Sequence, residues 1–173
     1  MDNTQIRACL ARVERGDKTA LAELYEGLKT PLYTVILRIT HSRELSEDLL
    51  HDLFVKLYQA PPGAAVKNPR AYLFQMARNL SLNSLRTPQT AALDEASTDG
   101  GDVLAETVSL QLDAADALEK LPQDEREIVC LHLNGELKFR EIAELLQMPL
   151  GTALWKYRSA LSKLRIYFSE GKG

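Results

Sequence analysis

LKFREIAELLQMPLGTALWKYRSALSKLRIYF, residues 137–168, decides how this chain folds. Glu141, Ile142, Ala143, Leu145 and Leu146 make one short amphipathic helix, which Gln147, Met148 and Pro149 interrupt. Leu150 then opens a longer helix whose apolar residues recur at 150, 154, 157, 161, 164 and 168. That 3.6-residue period predicts a helix with a single buried stripe. Two helices joined by so short a turn form a helix-turn-helix, whose second member can lie in the DNA major groove.

Winding the second helix at about 100° per residue predicts a stripe of Leu150, Leu154, Tyr157, Leu161, Leu164 and Phe168 facing inward. Trp155, Ser159 and Ser162 fall on the opposite side, flanked by Lys156, Arg158 and Lys163. A tryptophan directed away from its own helix's core is costly unless something covers it. Either a neighbouring helix or nucleic acid supplies that cover.

Composition narrows the class. A chain of 173 residues suffices for one compact domain or two small ones, and 45% hydrophobic with 26% charged residues is the balance of a globular protein, not a disordered or fibrous one. The opening MDNTQIRACLARVERGD mixes charges through its length, and no apolar run approaches 18 residues. The reading is therefore of a cytoplasmic protein with no membrane insertion. Cys9 and Cys130 stand far apart and outside any CxxC spacing, which predicts two buried thiols and neither a disulfide framework nor a structural metal site.

The net charge of −3 conceals an uneven distribution. Residues 1–86 carry 12 Lys and Arg against 9 Asp and Glu, residues 87–119 none against 8, and residues 120–173 9 against 7. Two mildly basic modules are thus joined by a strongly acidic stretch. Pro88, Gly100, Gly101 and scattered Ser, Thr and Asp give that stretch linker composition. The predicted architecture is all-α: a first helical domain over 1–87, a flexible acidic linker over 88–109 and a second helical domain over 110–173. The acidity serves solubility, or it places a polyanion in a groove built for nucleic acid.

Along the first module, Thr4 is predicted to cap a helix with Ile6, Cys9, Leu10 and Val13 on one face and Gly16 as its stop. Asp17 caps a second, carrying Ala20, Leu21, Leu24, Tyr25 and Leu28, which Pro31 should kink or divide before Leu32, Val35, Ile36 and Ile39. Ser42 or Ser46 starts a third, with Leu50, Phe54 and Leu57 buried, Leu49 and Leu53 widening that stripe, and Asp48, Asp52, Val55 and Gln59 outside. Asn68 and Pro69 then mark a strong helix start. The fourth helix sets Leu73, Met76, Ala77, Leu80 and Leu85 on an apolar side, and Arg70, Gln75, Arg78, Asn79, Asn83 and Arg86 on a polar one with Tyr72 and Phe74 nearby. Basic side chains neutralise phosphates and aromatics stack on unpaired bases, so this side suits nucleic acid, although a solvated basic helix has the same pattern.

Several phrases now carry a family resemblance: EDLLHDLFVKLY, then NPRAYLFQMARNLSLNSLR, then the acidic gap, then LEKLPQDEREIVCLHLNGELKFREIAELLQMPLGTALWKYRSALSKLR. Their order and spacing resemble the two regions of the extracytoplasmic-function (ECF) group of bacterial RNA polymerase sigma factors, in the sigma-70 family. The likeness runs from about residue 20 to residue 164. It implies a non-enzymatic transcription initiation factor that directs core polymerase to promoters and supports their melting, with no cofactor and no small-molecule substrate.

The resemblance also implies roles for particular residues. Asp48, His51, Asp52 and Val55 would dock on the clamp helices of core polymerase. Residues 59–68 with Lys67 and Asn68, and the helix bearing Arg70, Tyr72, Gln75, Arg78, Asn79, Asn83 and Arg86, would open the minus-10 region and hold its unpaired bases. Lys138, Arg140, Thr152, Trp155, Lys156, Arg158, Ser159, Ser162 and Lys163 would read the minus-35 duplex, with the second module's first helices on the polymerase flap. The linker would run through the active-site and RNA-exit channel, an anti-sigma factor would be a partner, and the bound form would be nucleoid-associated.

Ala153, Leu154, Trp155 and Lys156 depart from the family pattern after Gly151-Thr152, as do Ser159 and Leu161 where arginines are common, leaving Arg158 as the best base-edge candidate. Asn83 stands where Asp is common, and Arg86 replaces a frequent basic pair. Two other readings remain: a stand-alone helix-turn-helix regulator, and a sigma-like protein whose second domain docks a regulator through Trp155 and Ile166. An enzyme is the remote third, since His41, His51 and His132 sit in unrelated contexts and read as surface or half-buried residues.

Overall fold

The computed structural model describes residues 1–63, 66–86 and 116–170. The predicted acidic linker over 88–109 lies outside the described residues. Everything described is helix or connection: α1 (Asn3–Glu14), α2 (Lys18–Thr40), α3 (Arg43–Gln59), α4 (Pro69–Arg86), a helical turn at 116–119, α5 (Gln123–Leu133), α6 (Phe139–Leu145) and α7 (Leu150–Glu170). No strand occurs among the described residues.

Capping residues fix most of the boundaries. Asp2, not Thr4, caps α1: its carboxylate accepts the Thr4 and Gln5 N–H groups, both at 2.8 Å, and the Gln5 side chain returns to the Asp2 N–H at 2.9 Å. This reciprocal box satisfies more orphan donors than a threonine two residues later. Gly16 follows the end of α1 with a φ of +85°, a conformation that suits glycine. Asp17 caps α2 as expected, accepting from Thr19 and Ala20 N–H and from the Thr19 hydroxyl at 2.6 Å. Its carboxyl is held down to about 2 by that hydroxyl first, then by the Arg12 guanidinium and the two N–H groups. Pro31 does not divide α2, which runs unbroken to Thr40. Ser42 caps α3, whereas Ser46 is buried, bonded to the Ser42 carbonyl at 2.5 Å and to the Thr40 hydroxyl at 2.8 Å. Asn68 accepts the Ala71 N–H at 3.0 Å and starts α4.

In the first module α2 is the central helix, packed against α1, α3 and α4. Ile6, Leu24, Leu28, Leu32, Ile36, Leu53, Leu57 and Leu73 are fully buried there. Two expectations for α4 fail. Phe74 is fully buried in this core, not set beside the polar face, and Leu85 is exposed. Phe74 leads the α4 stripe because Leu73, Phe74, Ala77 and Ser81 follow the helical period toward α2, leaving Leu85 beyond the area α2 covers.

The second module is a three-helix unit in which α5 and α6 both pack on α7. His132, Phe139 and Tyr157, one from each helix, cluster with centroids 4.3 to 5.1 Å apart. Met148 N–H returns to the Ala143 carbonyl at 2.9 Å, and Gln147 takes the left-handed conformation that makes the turn into α7. The predicted stripe on α7 needs correction. Ala153 and Ala160 are its fully buried residues, Tyr157 and Leu164 are half-buried, and Leu150, Leu161 and Phe168 are exposed. Alanine at the crossing lets α5 and α7 approach closely, which rotates the larger side chains toward the rim.

The two modules share one apolar seam. Ile128, Cys130, Leu131, Leu137, Ile142 and Leu145 join the core cluster of the first module, where α5 meets α2 and α6 meets α4. Both cysteines are buried free thiols, as expected.

Candidate nucleic-acid interface

Three surfaces gather the candidate residues. On α3, burial of Leu49, Leu50, Leu53, Phe54 and Leu57 turns Asp48, His51, Asp52 and Val55 outward, so all four stand together on an exposed face. A groove of about 460 Å³ opens beside them between α2 and α3, walled by Leu21, Tyr25, Phe54, Val55 and Tyr58. Tyr25 meets Phe54 edge-on at 5.1 Å and is itself exposed, as is Tyr58. The sequence sets Tyr25 among the apolar residues that α2 carries and gives Tyr58 no role. The signal available was chemical: a tyrosine at the edge of a stripe keeps its hydroxyl wet.

The second surface is α4. Winding from Gln75 at about 100° per residue puts Tyr72, Gln75, Asn79, Asn83 and Arg86 in one sector. Gln75, Asn79, Asn83 and Arg86 are exposed and Tyr72 is half-buried. Arg70 falls about 140° away from Gln75 on the same winding, and it is only 6% exposed. Its guanidinium donates to the Gly135 carbonyl at 2.5 Å and to the Met1 carbonyl, and pairs with Glu136 at 3.1 Å. Arg78 is half-buried with its Nε 2.5 Å from Glu127 Oε1, and the Asn68 amide donates to Glu141. The structure thus groups five of the predicted residues, leaves Lys67 exposed beside them, and engages Asn68, Arg70 and Arg78 with the second module.

The third surface is α7. Trp155 is 65% exposed, no helix among the described residues covering it, and Arg158 and Ser162 are exposed on the same side. Arg165 and Ile166 continue that strip one turn on, and sequence reasoning assigned Arg165 nothing. Thr152 is half-buried near the start of the helix, and Lys138 and Arg140 are exposed at the start of α6. Lys156, Ser159 and Lys163 face α5 instead. Lys156 pairs with Asp124 at 2.5 Å, and Lys163 reaches Glu125 at 2.8 and 2.9 Å. The Ser159 hydroxyl donates to the same carboxylate at 3.0 Å. Glu125 is 5% exposed in the first turn of α5, where the helix N-terminus also favours a negative charge. It ties α5 to α7 and so fixes the tilt of the strip bearing Trp155 and Arg158.

Among the described residues no three His, Cys, Asp or Glu side chains stand together as a metal site, and no helix is long and apolar enough to cross a membrane. His41 and His51 are exposed and His132 is half-buried in its aromatic cluster, as expected.

Comparison with known proteins follows the same division. The model of Sigma-70 region 2 matches residues 24–90, and that of Sigma-70, region 4 matches residues 111–164. The chain is similar to the ECF RNA polymerase sigma factor SigW of Bacillus subtilis (strain 168), 23% identical over 92% of this chain and 95% of that one. Its fold is similar to CnrH, solved in complex with the cytosolic domain of CnrY, with a TM-score of 0.67, 19% identity and coverage of 96% and 98%. It is similar also to the sigma factor RpoE solved with the anti-sigma factor NepR from Bartonella quintana, with a TM-score of 0.64, 20% identity and coverage of 88% and 98%.

Proposed function

Because this chain belongs to the ECF group of the sigma-70 family of RNA polymerase sigma factors, we propose a division of labour among its three surfaces. The face of Asp48, His51, Asp52 and Val55 docks on the clamp helices of core polymerase, and the apolar groove with Tyr25 and Tyr58 extends that contact. The strip of Tyr72, Gln75, Asn79, Asn83 and Arg86, with Lys67, Asn68, Arg70 and Arg78, holds the unpaired minus-10 strand. The strip of Trp155, Arg158 and Ser162 on α7 enters the minus-35 major groove, with Thr152, Lys138 and Arg140 on the backbone. Lys156, Ser159 and Lys163, first assigned to DNA, act by positioning α7. Domain limits of 1–87 and 110–173, with 88–109 as the tether, fit this division, and the second module's first helices seat on the flap.

The physics needs no reaction from the chain itself. Preferential binding of the unpaired strand shifts a promoter toward its open state, and stacking with phosphate neutralisation suffices for that. Duplex reading relies on bidentate contacts worth about 1–3 kcal/mol each. Working place and partners follow from the same reading: the cytoplasm, promoter DNA in the nucleoid, and an anti-sigma factor, as NepR is to the neighbour RpoE.

The observation that carries the proposal is the match of both regions, in order, on either side of an acidic gap. Reconstituted transcription with core polymerase and a randomised promoter pool tests it. Enrichment of one paired minus-35 and minus-10 sequence is expected, and absence of core binding or of start-site-directed RNA refutes it. The exposure of Trp155 and Ile166 favours one second reading, in which this face docks a regulatory protein.

A further inference from the structure

We propose that α1 presets the strand-holding surface, with Arg7 and Asn3 as positioning residues that fix Lys67, Asn68 and the first turn of α4 for capture of the unpaired strand. The inference rests on the assignment of Lys67, Asn68 and α4 to the minus-10 strand. α1 itself lies ahead of the region 2 match, which begins at residue 24.

The helical period gives α1 two working faces. Ile6, Cys9, Leu10 and Val13 are buried in the core of the first module. Asn3, Arg7, Leu10 and Glu14 follow one another at three- and four-residue steps, which sets them in a stripe along the flank. That flank meets the chain leading into α4, where only a narrow cleft of about 50 Å³ separates Arg7, Ala11 and Glu14 from Pro62, Gly63 and Val66. The Arg7 guanidinium closes the gap. Its Nη2 donates to the Lys67 carbonyl at 2.8 Å and to the Val66 carbonyl at 3.4 Å. A single planar, preorganised group thus holds two successive peptide planes, while the Lys67 side chain stays exposed.

Asn3 completes the start of α4. The first turn of any helix leaves backbone N–H groups without an intrahelical partner. Pro69 has none to satisfy, and Asn68 takes two: its side chain accepts the Ala71 N–H at 3.0 Å and its carbonyl the Tyr72 N–H at 3.1 Å. The remaining one, of Arg70, is donated to Asn3 Oδ1 at 2.9 Å. The helix assigned to the strand therefore begins on a side chain of α1. Ordering this backbone before the strand arrives lowers the cost of capture. Initial engagement is set by the minus-35 contacts of α7, whereas opening depends on how strongly the unpaired strand is held. Losing the Arg7 or Asn3 bonds should slow opening and leave initial binding alone.

The test uses the full chain with core polymerase on the promoter enriched from the randomised pool. Opening is followed by 2-aminopurine fluorescence in the minus-10 element, over a titration that separates the half-saturating concentration from the limiting rate. Arg7→Ala is expected to lower the limiting rate about fivefold, a barrier change of about 1 kcal/mol, with the half-saturating concentration unchanged. Asn3→Leu should slow opening likewise, whereas Asn3→Asp keeps an acceptor for the Arg70 N–H and should retain the rate. Arg12→Ala is the structural control, because it removes the ion pairs to Asp17 and Glu23, at 2.8 and 2.9 Å, that tie α1 to α2 and its cap. An unaltered limiting rate in Arg7→Ala overturns the proposal. An equal loss in Arg12→Ala overturns it too, since α1 would then be a general stabiliser, and so does an Asn3→Asp variant as slow as Asn3→Leu. Lys67→Ala separates the two failures. If it slows opening while Arg7→Ala does not, only the role of α1 falls; if neither slows opening, the assignment of Lys67 to the strand falls as well.

Discussion

Substituting Lys163 and Arg158 separately distinguishes positioning from reading on a single helix. Lys163→Ala removes two charge-assisted bonds, at 2.8 and 2.9 Å, from a carboxylate only 5% exposed. Breaking a buried pair by deleting one partner costs about 3–5 kcal/mol. Here the figure must be reduced, because the Lys163 side chain is 47% exposed and water can reach the vacated space. Ser159 and the α5 N-terminus also still face Glu125. A loss of about 1–2 kcal/mol follows, and at about 2–4 °C per kcal/mol the melting temperature falls by roughly 2–8 °C. Arg158→Ala removes an exposed side chain and should change stability by less than about 0.5 kcal/mol. It should instead relax the enriched minus-35 sequence at one or two positions, by about 1–3 kcal/mol of base discrimination. Thermal unfolding of each variant, beside selection from a randomised promoter pool with core polymerase, measures both effects. If Arg158→Ala destabilised the chain as much as Lys163→Ala and left the selected sequence unaltered, the separation of roles on α7 would be wrong.

Asp48→Lys with Asp52→Lys reverses two exposed charges on α3 and should abolish core-polymerase binding in a pull-down, with the circular dichroism spectrum and melting temperature retained; unchanged affinity rejects the docking face. Ala160→Leu forces a larger side chain into the fully buried α7 crossing and should cost about 1–3 kcal/mol in urea unfolding, whereas Leu161→Ala, on the exposed rim, should cost less than about 0.5 kcal/mol. The carboxyl of Asp17, lowered from an ordinary 3.8 to about 2, adds stability that is complete above about pH 4 and is lost as pH falls toward 2. The gap in urea midpoint between the unsubstituted chain and Asp17→Asn should therefore narrow across that window, and a gap constant from pH 5 to 2 contradicts the capping role.

Helix identity was legible because burial and period agree in α3, and in α2 apart from Tyr25, and because Asp17, Asn68 and Pro69 are strong punctuation. The α1 cap was misplaced by two residues, since Asp2 and Thr4 are both competent caps and only the return bond from Gln5 decides between them. The α7 stripe was misread for a different reason. Hydrophobic weight points to Leu150, Leu161 and Phe168, but the seam is made by Ala153 and Ala160, whose small size carries little weight in any periodicity. Of the candidate residues, Asp48, Asp52, Gln75, Asn79 and Arg158 are exposed, as their place on the outward side of the helical period implies. The carboxylate partners of Arg70 and Lys163 were not legible, because an arginine or lysine reads alike in sequence whether it meets solvent, DNA or a carboxylate on another helix.

The same ambiguity bears on why a protein of net charge −3 works on DNA. Arg70, Arg78, Lys156 and Lys163 each face an acidic partner within the chain, so these four of the cations assigned to DNA are neutralised internally. Free energy of DNA binding scales with phosphates neutralised, and these four are withheld from it. Low affinity alone is then a consequence of the fold and not a defect of it: a specificity factor that bound DNA tightly without polymerase would occupy promoters unproductively. The salt dependence of strand binding should report the phosphate contacts of α4 directly, with a slope shallower by about 1.4 when Arg70→Gln and Arg78→Gln are combined, at about 0.7 for each contact to a single strand. An unchanged slope would mean that these arginines never reach phosphate.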